Sequence, residues 1–246
     1  MLNFVPDSSV VSTVTPSPNF GDRKGVLSPN MIILHYTGMA DPASAIVRLC
    51  TTGTEVSAHY IVLEDGNIVQ CVREADRAWH AGASSWADET DINSVSIGIE
   101  IVNGGHDFDL PDFPSAQIDG VISLLKDIFE RWPQLNPKRV VAHSDIAPAR
   151  KADPGEKFPW KRLAEAGVSI WPADTASIEL DTDAPVSAAQ QSLAFIGYGV
   201  TQTDYMDEPT KTALVAFQRR FRPSDIGGVL DEETQRLLVA VARLAQ

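Results

Sequence analysis

The chain has 246 residues, 43% hydrophobic and 22% charged, an ordinary globular composition with length for one generous domain or a core domain plus a small one. Its formal charge of -13 excludes general nucleic-acid binding, because a phosphate backbone needs a basic face, and argues equally against an anionic membrane surface as main partner. No apolar run approaches the roughly 20 residues needed for a transmembrane segment, and the two cysteines, Cys50 and Cys71, lack CxxC spacing and read as reduced core thiols.

The stretch up to about Pro29 is rich in Ser, Thr and Pro, has no period, and reads as an extended lead-in over the surface. It shows neither the charged nor the apolar region of a secretory signal. With the reduced thiols this sets the expected location as cytoplasmic, the periplasm being the alternative if a signal has been removed. MIILHY (31–36) is suited to a buried strand. PASAIVRLCTT (42–52) predicts a helix with Asp41 as N-cap and Pro42 at the first helical position. AHYIVLEDGNIVQCV (58–72) reads as a hairpin turning at Glu64-Asp65-Gly66-Asn67. VSIGIEIVN (95–103) is a further strand with Gly98 inside it. In 115–132 apolar residues at 118, 121, 122, 125, 128, 129 and 132 predict a helix that Pro133 stops. KRVVAH (138–143) is a short strand delivering a histidine at its end, and PWKRLAEAG (159–167) a short helix with Gly167 past its end.

Alternating strands and helices up to about residue 170 predict an α/β fold, with a single mixed central sheet flanked by helices. Residues 171–186 turn rich in Asp, Thr, Ala and Pro and read as a linker. Residues 187–246 then read as three helices. The expected organisation is a catalytic domain over 1–170, the linker 171–186, and a small C-terminal three-helix domain over 187–246.

The chemistry concentrates in HSDIAPARKADPG (143–155), a stretch too broken for a long helix or strand. His143 and Asp153 are zinc-ligand types, and catalytic zinc takes three protein ligands and keeps a fourth position open. His35, at the end of the first buried strand, is the natural third, since sites in α/β sheets collect at strand ends. Glu100, flanked by Ile99 and Ile101 in a strand, is an acid in apolar company and a candidate base. Lys151 suits charge developing on a carbonyl oxygen. By residue type and spacing alone, satisfied histidines, a solvated glutamate and a surface lysine stay open.

LHYTG, SAHYIVLEDG, AWHAGASSW, SIGIEIVN and HSDIAPARKADPG occur in that order over roughly residues 30–165. In these motifs the chain resembles the zinc-dependent N-acetylmuramoyl-L-alanine amidases of the type-2 amidase family. That resemblance implies that His35, His143 and Asp153 hold Zn2+, that Glu100 is the acid/base, and that Lys151 supports the tetrahedral intermediate. It also implies that Trp79 and His80 line the substrate groove. Arg150 suits a substrate carboxylate, with an exposed salt bridge as the other reading. His59 reads as structural and His106 as plain surface. AAQQSLAFIGYG, TKTALVAFQRRF and GGVLDEETQRLL resemble a small peptidoglycan-binding domain, although TQTDYMDE departs from its usual glycine-rich approach to the second helix. The expected function is hydrolysis of the amide between N-acetylmuramic acid, in 1,6-anhydro form or not, and L-alanine. Muropeptides are the expected partners. The rival readings are a non-catalytic muropeptide sensor and a zinc peptidase acting within the stem peptide; oligomeric state is not legible.

Overall fold

The lead-in supplies two short strands, β1 (Thr13–Val14) and β2 (Phe20–Gly21), where the sequence shows no period. The rest follows in chain order: β3 (Met31–Tyr36), α1 (Pro42–Cys50), β4 (Tyr60–Val62), β5 (Ile68–Gln70), β6 (Arg77–Ala78), α2 (Ile92–Val95), β7 (Ser96–Ile101), α3 (Ser115–Arg131), β8 (Val140–Ala142), α4 (His143–Ile146) and α5 (Trp160–Glu165). Three helices close the chain: α6 (Pro185–Ile196), α7 (Glu208–Phe221) and α8 (Glu232–Ala245). The computed structural model describes residues 4–173, 175–180 and 183–246, so residues 174, 181 and 182 of the expected linker lie outside the described residues. Helix α6 starts at Pro185, inside the stretch read as linker.

Six strands form one mixed sheet in the order β1-β5-β4-β7-β3-β8, and β2 pairs antiparallel with β6 beside it. Only the β4–β5 hairpin is antiparallel within the large sheet. Its Gly66, at φ 87°, passes so close to α3 that a Cβ there would meet the Ala116 carbonyl oxygen at 2.5 Å. Helix α1 begins as expected, with the Asp41 carboxylate accepting from Ser44 N–H at 2.9 Å.

Period-two alternation divides the sheet's side chains between two layers. Ile32, Leu34, Ile97, Ile99 and Ile101 face α3, packing with Ile118, Val121, Leu124, Leu125 and Ile128. Met31, Ile33 and Val141 pack with the three C-terminal helices, through residues such as Leu193, Leu214, Phe217 and Leu238. Helix α1 contributes Leu49 to a third cluster with Ile61, Val69 and Val102. Among the described residues no helix is long and apolar enough to cross a membrane.

Candidate metal centre

The parallel pairing of β3 with β7 sets Met31 against Ser96, Ile33 against Gly98 and His35 against Glu100. Cross-strand partners share a face, so His35 and Glu100 emerge side by side at the C-terminal ends of adjacent central strands. On the other flank of β3, Leu34 pairs with Ala142, which brings His143 beside His35. The strand stops there because His143 opens the four-residue helix α4, a local order the broken sequence does not announce. Ser144 N–H donates to the Asp153 carbonyl at 2.9 Å, tying the far end of the loop back to its start.

His35 Nδ1, His143 Nδ1 and Asp153 Oδ2 converge with separations of 2.9 Å (His35–His143), 3.1 Å (His35–Asp153) and 2.9 Å (His143–Asp153). All three residues are buried. Counting protons shows what this cluster lacks. Ser96 Oγ donates its one proton to the Ile92 carbonyl at 2.6 Å, so it can only accept from His80 Nε2 at 3.2 Å. In the neutral His80 ring Nδ1 is then the acceptor, and it stands 3.0 Å from His35 Nε2, which must carry the proton. His143 Nε2 lies 3.0 Å from the Ala81 carbonyl oxygen, an obligate acceptor, so it too is protonated. Both Nδ1 atoms are therefore bare, and with the Asp153 carboxylate they aim lone pairs at one point with no proton to share. A cation resolves that conflict. Two imidazoles and one carboxylate fit a divalent transition metal with a coordination position left for solvent.

The titration behaviour agrees. Burial, then the nearby His143, lowers the His35 pKa to about 4, and burial with His35 and His59 beside it puts His80 well below its ordinary value. Burial pushes Asp153 upward, but His143 and His35 more than reverse this and hold it below the usual carboxylate range. A neutral His35 ring and an ionised Asp153 are the forms in which those groups bind a metal.

These groups line a cleft of about 300 Å³ together with Tyr36, Arg48, Trp79, Glu100 and Lys151. Glu100 Oε2 is buried without a hydrogen-bond partner. Burial first, and the Asp153 charge second, raise its pKa well above the ordinary value, while Lys151 pulls it down. A larger cavity of about 650 Å³ lies on the seam with α7; its lining is mostly small and apolar and holds none of the metal-centre cluster. We therefore place the chemistry in the smaller cleft.

The structure brings His35, His143, Asp153, Glu100, Lys151, Trp79 and His80 into that cleft, and Arg150 is not among the residues that line it. The exposed Arg150 uses its Nη2 on the carbonyls of Ala81, at 2.7 Å, and Ala83, at 2.8 Å. It thereby braces the same Ala81 oxygen that receives the His143 proton. His80 lines the cleft with both ring nitrogens committed to His35 and Ser96. Gly98 makes this possible, since a Cβ on it would meet the His80 ring at 2.4 Å. His59 is structural: its Nδ1 accepts from Gly98 N–H at 2.9 Å. His106 is more than plain surface, bonded to Tyr36 Oη and Glu156, each at 3.0 Å. Arg48, which sequence reasoning passed over, reaches the cleft from the last turn of α1. Its position one residue before buried Leu49 was the available signal.

Similarity to known proteins agrees with this geometry. The N-acetylmuramoyl-L-alanine amidase family model matches residues 25–156, and a peptidoglycan binding domain model matches residues 182–238. The N-acetylmuramoyl-L-alanine amidase AmiD of Escherichia coli (strain K12) is 38% identical over 229 residues, covering 86% of this chain and 81% of AmiD. The structure of E. coli AmiD with the substrate anhydro-N-acetylmuramic acid-L-Ala-D-gamma-Glu-L-Lys superposes with a TM-score of 0.77 at 33% identity, over 92% of this chain and 98% of that one. AmpDh3 of Pseudomonas aeruginosa in complex with anhydromuramic pentapeptide gives a TM-score of 0.75 at 36% identity, over 98% and 97%. On the fold, the convergent cluster at the strand ends and these likenesses together, the chain belongs to the N-acetylmuramoyl-L-alanine amidase family.

Proposed function

We propose that the chain is a zinc-dependent amidase that hydrolyses the bond between the lactyl carbonyl of N-acetylmuramic acid and the amine of L-alanine, with 1,6-anhydro muropeptides as the substrate class. The likeness to AmiD and AmpDh3, both known with anhydromuramyl peptides, supports the sugar form. The observation that carries the catalytic reading is the buried, partnerless oxygen of Glu100 beside a convergent His-His-Asp cluster. A module that only bound fragments would have no use for an orphaned carboxyl at that cost.

His35, His143 and Asp153 hold the zinc. When bound, it supplies Lewis acidity that makes water a better nucleophile and polarises the scissile carbonyl. Glu100 takes the proton of the attacking water, and its raised pKa suits a group that must later give that proton back. The recipient is the nitrogen of the departing L-alanine, so the C–N bond breaks as the new C–O bond completes the acid. Lys151, in the same cleft, faces the charge developing on the carbonyl oxygen. Trp79 offers a flat apolar wall for the sugar or peptide, and Arg48 offers a cation for a peptide carboxylate. The catalytic unit is assigned to 1–170 and the glycan-associated module to 187–246, joined through 171–186. The two cysteines as free thiols support a reducing, cytoplasmic setting.

The test is product analysis by mass spectrometry after incubating zinc-loaded protein with an anhydro-muropeptide and, separately, with purified sacculi. Release of an intact peptide beginning with L-alanine is expected, and activity on the first substrate alone would favour fragment recycling. Glu100→Ala should lower kcat by roughly 10²–10⁴-fold while zinc stays bound. Cleavage inside the stem peptide, or near-normal turnover by that variant, would overturn the assignment.

A further inference from the structure

The loop from His143 to Asp153 carries two of the three cluster residues and Lys151, yet much of what fixes it comes from the C-terminal helices. Asp145, two residues after His143, is buried and its carboxylate accepts three hydrogen bonds. Its Oδ1 receives the Tyr198 hydroxyl at 2.6 Å. Its Oδ2 receives Arg220 Nη1 at 2.9 Å and, at 2.9 Å, the backbone N–H of Ala142, the residue that ends β8. Arg220 is itself locked: Nη2 donates to the Val140 carbonyl at 3.0 Å, and the guanidinium lies 4.0 Å from the Trp160 ring. The neighbouring residue on α7, Arg219, reaches Glu156 at 3.5 Å, three positions past Asp153. Arg220 thus fixes the loop near its start, while Arg219 adds an ion pair without a hydrogen bond just past its far end. Trp86, in the segment that supplies Ala81 to His143, packs against Tyr198 at 4.9 Å between ring centroids.

A module serving only as a wall-binding tether needs none of this. A buried ion pair brings little net stability against apolar packing, so its retention beside the site calls for a positional reason. We propose that the C-terminal helices position the metal loop, with Tyr198 and Arg220 holding His143 in register through Asp145. The inference rests on the zinc reading above, and it makes Tyr198 and Arg220 positioning residues that touch neither metal nor substrate.

The experiment measures zinc affinity of the full chain by chelator competition, wild type first, alongside the melting temperature of each metal-free protein. Tyr198→Phe removes one hydrogen bond at constant shape. Arg220→Lys keeps the charge, so Asp145 is not stranded, but removes the forked geometry. Val241→Ala, a fully buried α8 residue remote in sequence from Asp145, loosens the module without touching the clamp. The expected result is zinc binding weakened by about 10-fold in Tyr198→Phe and Arg220→Lys, a size typical of outer partners of metal ligands. Val241→Ala should melt earlier and bind zinc like wild type. Zinc affinity within about twofold of wild type in both clamp variants overturns the proposal, as does equal weakening in Val241→Ala, which would reduce the clamp to general stability. Failure of wild type to bind zinc overturns the metal reading itself, and this inference with it.

Discussion

Ser96 has a single hydroxyl proton, and where it goes decides the state of two imidazoles. Given to the Ile92 carbonyl, it leaves His80 as the donor to Ser96 and His35 as the donor to His80, so the nitrogen of His35 facing the cluster is bare. Glu100 is the opposite case, an acid with an oxygen that nothing satisfies. Burial and Asp153 raise its pKa above the ordinary 4.5. Between those two values the folded chain holds a proton that the unfolded chain has released, so stability falls as pH rises through that window. Metal-free Glu100→Gln should therefore melt above wild type at neutral pH, with the gap closing once pH drops below about 4.5. Paired thermal melts across pH measure this. The cluster residues and Glu100 were legible chiefly through the family resemblance, since residue type and strand position alone left satisfied histidines and a solvated glutamate open. The bonds that tie down Arg150 and His80 were not legible, because their partners are a carbonyl oxygen and another ring, and neither leaves a mark on residue type.

Strand β7 shows how much one element carries. Its cluster-facing side reads Ser96, Gly98, Glu100: a proton acceptor for His80, a space for the His80 ring, and the base. Gly98→Ala would put a methyl group 2.4–2.6 Å from that ring. The variant should lose roughly 1–3 kcal/mol of stability from overpacking. It should also bind zinc about 10-fold more weakly, because the ring that orients His35 has to move; denaturant melts and zinc titration check the pair. The sequence marked Gly98 as a small residue in a strand but not what the space was for. Long periodic elements, such as α3, were readable in the same pass. Strands β1 and β2 were not, since two residues display no period and their pairing with β5 and β6 is a tertiary event. The four-residue helix α4 escaped notice likewise: its Asp145 finds its charge partner 75 positions away.

At the scale of the molecule, the sheet is covered by α3 on one face and by the C-terminal helices on the other. The likeness to a separate binding domain made a boundary near 187 easy to expect. The shared core behind it was not legible, because Met31 and Ile33 look alike whether a strand is covered by its own domain or by later helices. A chain shortened to residues 1–180 should expose Met31, Ile33, Trp86 and Val141 as one apolar face. It should elute as aggregate, with raised binding of a hydrophobic dye, where the full chain does not.

The pairing of β3 with both β7 and β8 also orders events during synthesis. His35 leaves the ribosome more than 100 residues before its neighbour His143, and the helices that cover that face of the sheet follow both. A nascent chain therefore carries the whole His-His-Asp cluster before the helices that cover this face emerge, and a ribosome stalled between the two leaves an apolar face open to chaperones or proteases.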